Sequence, residues 1–249
     1  MTQNNNNSLA IFPNSITMLN LLFGVASIVL SMEGNIGPAA ICIGIAAACD
    51  FFDGFVARLV RASSELGAQL DSLADMVSFG VAPAIIMYQM IKSELIGIPP
   101  IYNTTTDLYS MVLILSPLVV VVCGAYRLAR FNTDSEQAKE FKGLPIPGAA
   151  IFLASFAVIR EYTNNYILFD VLLTPQYLAI FSLFAGIMMV SSIPMFSFKF
   201  DGFGISNNLL KYIFAISSLI LLICINIYAI PIIVMAYIIV SLVRWVLPR

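Results

Sequence analysis

Four aspartates and two arginines fall within one short stretch of an otherwise apolar chain. Residues 50–75 read DFFDGFVARLVRASSELGAQLDSLAD, whereas only 10% of the 249 residues are charged. Ionisable groups beside membrane-spanning segments are energetically costly and usually functional. The stretch is therefore the leading candidate for the chemistry of this protein. Its charged members of interest are Asp50, Asp53, Asp71, Asp75, Arg58 and Arg61.

The spacing of the aspartates predicts two carboxylate pairs on neighbouring helices. At 3.6 residues per turn, Asp50 and Asp53 share one helix face, and Asp71 and Asp75 share a face of the next helix. Four carboxylates near a low-dielectric region repel one another unless cations compensate. The chain has no histidine, so a metal would be held mainly by oxygen, which suits Mg²⁺ or Mn²⁺. Two such ions about 4 Å apart would assist a phosphoryl displacement.

Small residues on the same faces leave room for a ligand between the two helices. Gly54 and Ala57 lie on the face of the first aspartate pair, and Gly67 lies on the stripe of the second. Arg58 and Arg61 supply positive charge for phosphate oxygens. Intramembrane carboxylates would equally suit a transporter that binds Na⁺ or protons. Composition alone thus leaves metal-dependent chemistry and ion coupling open.

Long apolar segments predict an all-α, polytopic membrane protein. Hydrophobic residues make up 60% of the chain and its mean hydropathy is +0.94, whereas soluble domains carry roughly 25% charged residues. About eight segments approach the ~20 residues that a spanning helix needs. The boundary between the last two is weak, so seven spans or a broken final helix are alternatives. The segments are 13–33, 36–61, 66–92, 107–130, 144–161, 171–192, 208–228 and 229–247.

The distribution of lysine and arginine predicts the orientation in the cell membrane. With the N-terminus in the cytoplasm, only Lys92 and Arg160 of the 12 basic residues fall on the outer side. This asymmetry follows the positive-inside rule. We therefore expect both termini and the aspartate stretch to lie at the cytoplasmic face.

The spacing of the charged and small residues resembles the signature of a known family. The pattern Asp50-x2-Asp53-Gly54-x2-Ala57-Arg58-x8-Gly67-x3-Asp71-x3-Asp75 matches that of the CDP-alcohol phosphatidyltransferase family at each defined position. The resemblance covers roughly residues 10–200. Residues 72–83 and 127–147 resemble the phosphatidylserine synthase branch of that family. Members of the family transfer the phosphatidyl group of CDP-diacylglycerol to an alcohol and release CMP, and in this branch the alcohol is L-serine.

The resemblance implies a role for each matched residue. All four aspartates would bind two ions of Mg²⁺ or Mn²⁺, and Asp75 would also be the general base. Gly54, Ala57 and Gly67 would line the pocket for CDP-diacylglycerol. Arg58, with Arg61 beside it, would face the phosphates of that substrate.

A second group of polar residues is a candidate for serine recognition. Bound serine is a zwitterion, and its carboxylate needs a cation. Arg127 and Arg130, three residues apart at the cytoplasmic end of the fourth segment, are suitable, and Asn132 is close by. Anchoring by the positive-inside rule or contact with lipid headgroups is the alternative explanation for both arginines.

Several alternatives and partners complete the prediction. Other acceptors, glycerol 3-phosphate or inositol phosphate, would call for a denser basic pocket than one arginine pair. An ion-coupled transporter and an inactive, family-like scaffold are the remaining alternatives.

We expect CDP-diacylglycerol, L-serine and membrane lipid as partners, no nucleic acid, and a homodimer by analogy with the family. Residues 1–12 are predicted to be a disordered polar N-terminus, 13–200 the catalytic bundle and 201–249 two C-terminal transmembrane helices.

Overall fold

The computed structural model describes residues 11–60, 64–96, 107–133, 142–162, 171–196 and 205–247. These residues are almost entirely helical and contain no strand, apart from an isolated antiparallel bridge between Lys142 and Pro194. The prediction of an all-helical fold is therefore confirmed for the part of the chain that the structure describes.

Ten α-helices follow one another along the described residues, with two irregular helical segments between them. The break between α5 and α6 falls at Ser116 and Pro117, within a segment predicted to be continuous, because proline cannot donate the amide hydrogen bond that a helix interior needs. The helices are α1 (Ile11–Met32), α2 (Ile36–Leu59), α3 (Glu65–Asp75), α4 (Ala82–Leu95), α5 (Leu108–Leu115), α6 (Leu118–Thr133), α7 (Ile146–Tyr162), α8 (Pro175–Val190), α9 (Ile205–Ile225) and α10 (Ala229–Val246).

Five helical stretches of the described chain are long and apolar enough to cross a membrane, by length and composition. A sixth, Pro175–Val190, is apolar but shorter. Large apolar side chains are exposed along these helices, as expected where a helix faces hydrocarbon. The count of eight spans and the orientation remain predictions. The five stretches are Ile11–Met32, Ile36–Leu59, Leu66–Leu95, Leu108–Thr133 and Asn208–Val246.

Helix α7 forms the centre of the bundle. Most of its side chains are buried, and it packs against α2, α4, α8 and α10. Phe156 stacks on Phe181 of α8 with ring centroids 4.6 Å apart, and Phe152 meets both rings edge-on. A helix that is apolar all round has to be enclosed by other helices or lipid. These four helices therefore enclose α7.

A π-helical segment, Met76–Val81, interrupts the third apolar stretch immediately after Asp75. The stretch was predicted to be one helix. Ser64 caps the start of α3 by accepting a hydrogen bond from the Gly67 amide at 3.0 Å. Pro83 lies immediately after this segment, at the second residue of α4. Segments of this kind occur frequently at functional sites, where they change the direction of side chains.

Close packing of α1 against the π segment depends on Gly24. An added Cβ at Gly24 would lie 2.7 Å from the Ser78 Cα atom. The Ser78 hydroxyl donates a hydrogen bond of 3.0 Å to the Asn20 carbonyl. The absence of a side chain at Gly24 thus allows α1 to approach the backbone that follows Asp75.

The last two helices form an antiparallel hairpin. The chain turns through a 3₁₀ segment, Asn226–Tyr228, in which Asn226 has a φ of 53°. Phe214 of α9 lies beside Tyr237 of α10, with ring centroids 6.2 Å apart. The long apolar run at the C-terminus therefore folds back on itself, at the boundary that the sequence indicated only weakly.

Candidate active site

Three of the predicted aspartates meet at one end of the bundle. Asp50 and Asp53 lie on α2 and Asp71 on α3, and one carboxylate oxygen from each lies within 4.8 Å of the others. Asp53 is 6% exposed. If all three were ionised, each pair at this separation would repel by roughly 3 kcal/mol. Carboxylate oxygens at such distances are the ligand set that a hard divalent cation prefers, so the residues present fit such an ion.

A cavity of about 270 Å³ opens beside this triad. Gly54 and Ala57 form its wall on α2, and Gly67 forms part of its wall on α3. At Gly54 an added Cβ would meet no atom within 4 Å, whereas at Gly67 it would lie 2.9 Å from Asn14 Oδ1. The small residues on the aspartate faces therefore lie together, as the spacing predicted. The full lining is Pro13, Asn14, Thr17, Asp50, Asp53, Gly54, Ala57, Ser64, Gly67, Ala68 and Asp71.

Helix α1 supplies two polar side chains that sequence reasoning missed. The Thr17 hydroxyl donates a hydrogen bond of 2.6 Å to Asp53 Oδ2, and the Asn20 amide donates one of 3.4 Å to Asp75 Oδ1. Both residues are buried. The signal in the sequence was a stripe of small or polar residues, Thr17, Asn20 and Gly24, within an apolar segment.

Asp75 lies outside the triad. Its carboxyl group is in hydrogen-bonding proximity to that of Asp50, but it is neither part of the triad nor part of the cavity wall. It interacts electrostatically with Arg127 of α6. The four aspartates thus form an extended acidic group, in which one member interacts electrostatically with a cation that is distant in sequence.

One arginine of the stretch, Arg58, lies beside the cavity wall. Arg58 is exposed, and its Nε donates a hydrogen bond of 2.9 Å to the carbonyl of Gly54. Its guanidinium group is therefore held beside a residue of the cavity wall. Arg61 lies outside the described residues.

The candidate serine-binding residues lie near the same end of the bundle. Asn132 donates a hydrogen bond of 3.0 Å to the hydroxyl of Ser72, the neighbour of Asp71. Arg130 is half-buried, one helical turn from Arg127. Arg127 Nε is buried and has no hydrogen-bond partner among the described residues. The structure therefore joins Asn132 to α3 by a hydrogen bond, and Arg127 interacts with Asp75 electrostatically.

The fold and the site together define a class of protein: a helical membrane protein with a carboxylate site beside a cavity. The CDP-alcohol phosphatidyltransferase family matches residues 10–185 of the chain. The chain belongs to that family, as the spacing of its charged residues predicted.

Curated relatives extend the comparison over most of the chain. The archaetidylserine synthase of Methanothermobacter thermautotrophicus is 36% identical over 159 residues, which are 63% of this chain and 62% of that protein. The CDP-diacylglycerol–serine O-phosphatidyltransferase of Methanocaldococcus jannaschii is 32% identical over 216 residues, 87% of this chain and 83% of that protein. The enzyme of the same name from Helicobacter pylori strain J99 is 31% identical over 242 residues, 96% of this chain and 93% of that protein.

Proposed function

We propose that this protein transfers the phosphatidyl group of CDP-diacylglycerol to the hydroxyl of L-serine, giving phosphatidylserine and CMP. The observation that carries the proposal is the aspartate triad beside a cavity lined by small residues at the end of a membrane bundle. The names of the relatives support serine as the acceptor. At such a site the acyl chains of the lipid can stay in the bilayer while its nucleotide reaches the aspartates.

The aspartates are the proposed metal ligands. Asp50, Asp53 and Asp71 present the clustered oxygens, and Asp75 completes the set of four. We propose two ions, Mg²⁺ or Mn²⁺. When bound, they would neutralise the pyrophosphate and stabilise the departing CMP, which contributes several kcal/mol to such displacements.

The cavity is the proposed site for the cytidine diphosphate part of the lipid substrate. Gly54, Ala57 and Gly67 leave its wall open to a ligand. Arg58, held beside Gly54 by its hydrogen bond, would face the phosphates. Arg61, which lies outside the described residues, is proposed to join it.

The reaction needs one base and one leaving group. The serine hydroxyl oxygen forms a bond to the phosphorus that carries diacylglycerol, while the bond from that phosphorus to the bridging oxygen of CMP breaks. The hydroxyl proton passes to a carboxylate oxygen of Asp75, and the electron pair of the broken bond leaves with CMP. The Asn20 amide, which donates to Asp75 Oδ1, would orient that carboxylate. Holding both reactants in line supplies a further part of the rate.

Recognition of the serine carboxylate is assigned to the basic end of α6. Arg127 is the stronger candidate, because its buried Nε has a proton to donate and no partner among the described residues. A guanidinium group with free donors binds a carboxylate by two parallel hydrogen bonds. Arg130 and Asn132 would add charge and hydrogen bonds at the rim of the same site.

The proposed orientation in the membrane rests on the uneven distribution of lysine and arginine between the two sides. Eight spans with both termini in the cytoplasm would put the active site at the cytoplasmic face of the cell membrane. Residues 13–200 would form the catalytic bundle, and residues 201–249 would add two transmembrane helices. Of the tail predicted at residues 1–12, Ile11 and Phe12 belong to α1 instead, and the others lie outside the described residues. CDP-diacylglycerol, L-serine and bilayer lipid are the proposed partners, nucleic acid is not, and the chain is proposed to form a homodimer.

The test of this function is CMP release by the purified protein with each acceptor in parallel. We expect release with CDP-diacylglycerol, Mn²⁺ and L-serine, and little with glycerol 3-phosphate or inositol phosphate. Asp71→Asn and Asp75→Asn should abolish release while the protein stays folded. Turnover like wild type in either variant would contradict the mechanism, and release with only a phosphorylated acceptor would reassign the alcohol.

The same protein sample separates an enzyme from an ion-coupled transporter. An enzyme of this kind predicts a thermal shift with CDP-diacylglycerol and Mn²⁺ together that neither produces alone. A transporter would instead respond to the ion without any dependence on the nucleotide. A thermal shift without turnover would indicate an inactive scaffold.

A further inference from the structure

The chain around the π segment holds Asn20 of α1 at two points. The Asn20 amide nitrogen donates a hydrogen bond of 3.4 Å to Asp75 Oδ1, and the Ser78 hydroxyl donates one of 3.0 Å to the Asn20 carbonyl. Asn20 and Ser78 are both 0% exposed. Helix α1 packs against α3 and against the π segment that follows it. One residue of α1 therefore joins the proposed base to a hydroxyl of the π segment.

The hydrogen bond that Ser78 donates differs from the usual bond of a helical serine. The hydroxyls of Ser72, Ser155 and Ser182 each donate to a carbonyl three or four residues earlier in their own helix, which is the common local bond of a serine inside a helix. Ser78 lies in the π segment and donates to α1 instead. Its hydroxyl therefore fixes the position of α1 relative to that segment.

Gly24 makes this contact between helices possible. In an α-helix the Asn20 carbonyl accepts the Gly24 amide, and because a carbonyl oxygen has two lone pairs it can accept a second hydrogen bond. An added Cβ at Gly24 would overlap with the Ser78 hydroxyl and would lie 2.7 Å from the Ser78 Cα atom. The absence of a side chain at Gly24 therefore opens the side of α1 from which Ser78 reaches the carbonyl.

The Asn20 side chain depends on its own backbone for its direction. An ionised carboxylate has only acceptor atoms, so the amide nitrogen of Asn20 faces Asp75 and the amide oxygen does not. That oxygen, Asn20 Oδ1, is buried and has no hydrogen-bond partner among the described residues. The direction of the amide therefore follows the position of the α1 backbone at Asn20, which the Ser78 hydroxyl fixes.

We propose that Ser78 is a positioning residue for Asp75, which acts through Asn20. Its hydroxyl fixes the α1 backbone so that the Asn20 amide holds the Asp75 carboxylate toward the hydroxyl of the acceptor. This inference rests on the proposed function, in which Asp75 is the general base, and deepens it. Neither Ser78 nor Asn20 is part of the cavity wall, so loss of this support should slow the proton transfer without weakening the binding of the nucleotide.

The experiment measures CMP release and thermal unfolding of the full-length protein with Ser78→Ala, at saturating Mn²⁺ and L-serine. We expect kcat to fall about fivefold, the effect of losing one ordinary hydrogen bond. The KM for CDP-diacylglycerol should stay within about twofold. Ser182→Ala is the matched control, because Ser182 is also 0% exposed and its hydroxyl donates within α8, to the Leu178 carbonyl. The control should keep the wild-type kcat.

A double-mutant cycle with Asn20→Ala separates positioning from a general loss of stability. Asn20→Ala removes the amide but keeps the backbone carbonyl that accepts from Ser78. Ser78→Ala should therefore lower the melting temperature equally with and without the Asn20 amide. It should lower kcat only when the amide is present, because residues that act through one another have non-additive effects. Asn20→Ala alone should lower kcat and leave CMP release measurable.

The outcomes that overturn the inference are distinct from those that overturn the proposed function. An unchanged kcat in Ser78→Ala overturns the inference, and so does an equal fall of kcat with and without the Asn20 amide. A similar fall in Ser182→Ala also overturns it, because the effect would then reflect the stability of the bundle. Complete loss of release in Asn20→Ala contradicts the supporting role of the amide. Release like wild type in Asp75→Asn refutes the assignment of the base, and absence of serine-dependent release by the wild type refutes the proposed function itself.

Discussion

Substitution of Gly54 by alanine should stabilise the protein and weaken its binding of CDP-diacylglycerol. Gly54 lies inside α2, where glycine costs roughly 0.5–1 kcal/mol relative to alanine because it loses more backbone freedom. An added Cβ would meet no protein atom within 4 Å. No steric penalty therefore offsets the gain. We expect a rise of about 2 °C in the melting temperature of the ligand-free protein.

The effect on binding has the opposite sign, because Gly54 forms part of the cavity wall. A methyl group added to a well-packed site typically costs about 1–3 kcal/mol. The cavity is only about 270 Å³ in volume, so a nucleotide that fills it has little room to shift. At about 1.4 kcal/mol for each factor of ten, the KM for CDP-diacylglycerol should rise roughly tenfold.

The assay combines thermal unfolding in detergent with CMP release over a range of CDP-diacylglycerol concentrations, at saturating Mn²⁺ and L-serine. Gly44→Ala is the matched control. Gly44 lies in the same helix, its added Cβ would also meet no atom within 4 Å, and it is not part of the cavity wall. The control should gain the same stability and keep the wild-type KM. A wild-type KM in Gly54→Ala would refute the assignment of the cavity to the nucleotide.

Three further predictions concern the supports of the site. Thr17→Val removes the 2.6 Å hydrogen bond to Asp53; since a hydrogen bond to a charged group contributes about 1.5–3 kcal/mol, the Mn²⁺ concentration for half-maximal CMP release should rise about tenfold or more. Thr17→Ser keeps the hydroxyl and should behave as wild type, and equal metal dependence in both variants would count against the prediction. Gly24→Ala puts a Cβ 2.7 Å from Ser78 Cα and should lower the free energy of unfolding by about 1–3 kcal/mol, measured by denaturant or heat; unchanged stability would mean that α1 shifts freely. Removal of divalent cations with EDTA should lower the melting temperature of the wild type, because an ion bound only to the folded state stabilises it; Asp71→Asn should reduce this difference, and an equal difference in both proteins would place the ion elsewhere.

The position of the helices, and the residues that share one face of a helix, were predictable from the sequence. The alternation of apolar segments and turns indicated the helices to within a few residues, because burial in a bilayer imposes long apolar runs. The faces shared by Asp50, Asp53 and Gly54 followed from 3.6 residues per turn. The absence of histidine limited the metal ligands to oxygen. These are local properties, and one helix at a time suffices to derive them.

Contacts between helices that are distant in sequence required the tertiary structure. Thr17 and Asn20 looked like isolated polar residues in an apolar segment until α1 was packed against Asp53 and Asp75. The periodicity of one helix determines which residues share a face, but it does not determine which other helix that face meets.

The aspartates themselves show both contributions. Their identity and spacing in the sequence were enough to predict the family and the kind of chemistry. Only the tertiary structure shows that three of them form a cluster while Asp75 lies outside it and interacts electrostatically with Arg127. The physical reason is that the distance between two carboxylates on different helices depends on which helix faces pack together, as where Gly24 of α1 meets Ser78. The periodicity of one helix marks such a face but does not specify the helix that it meets.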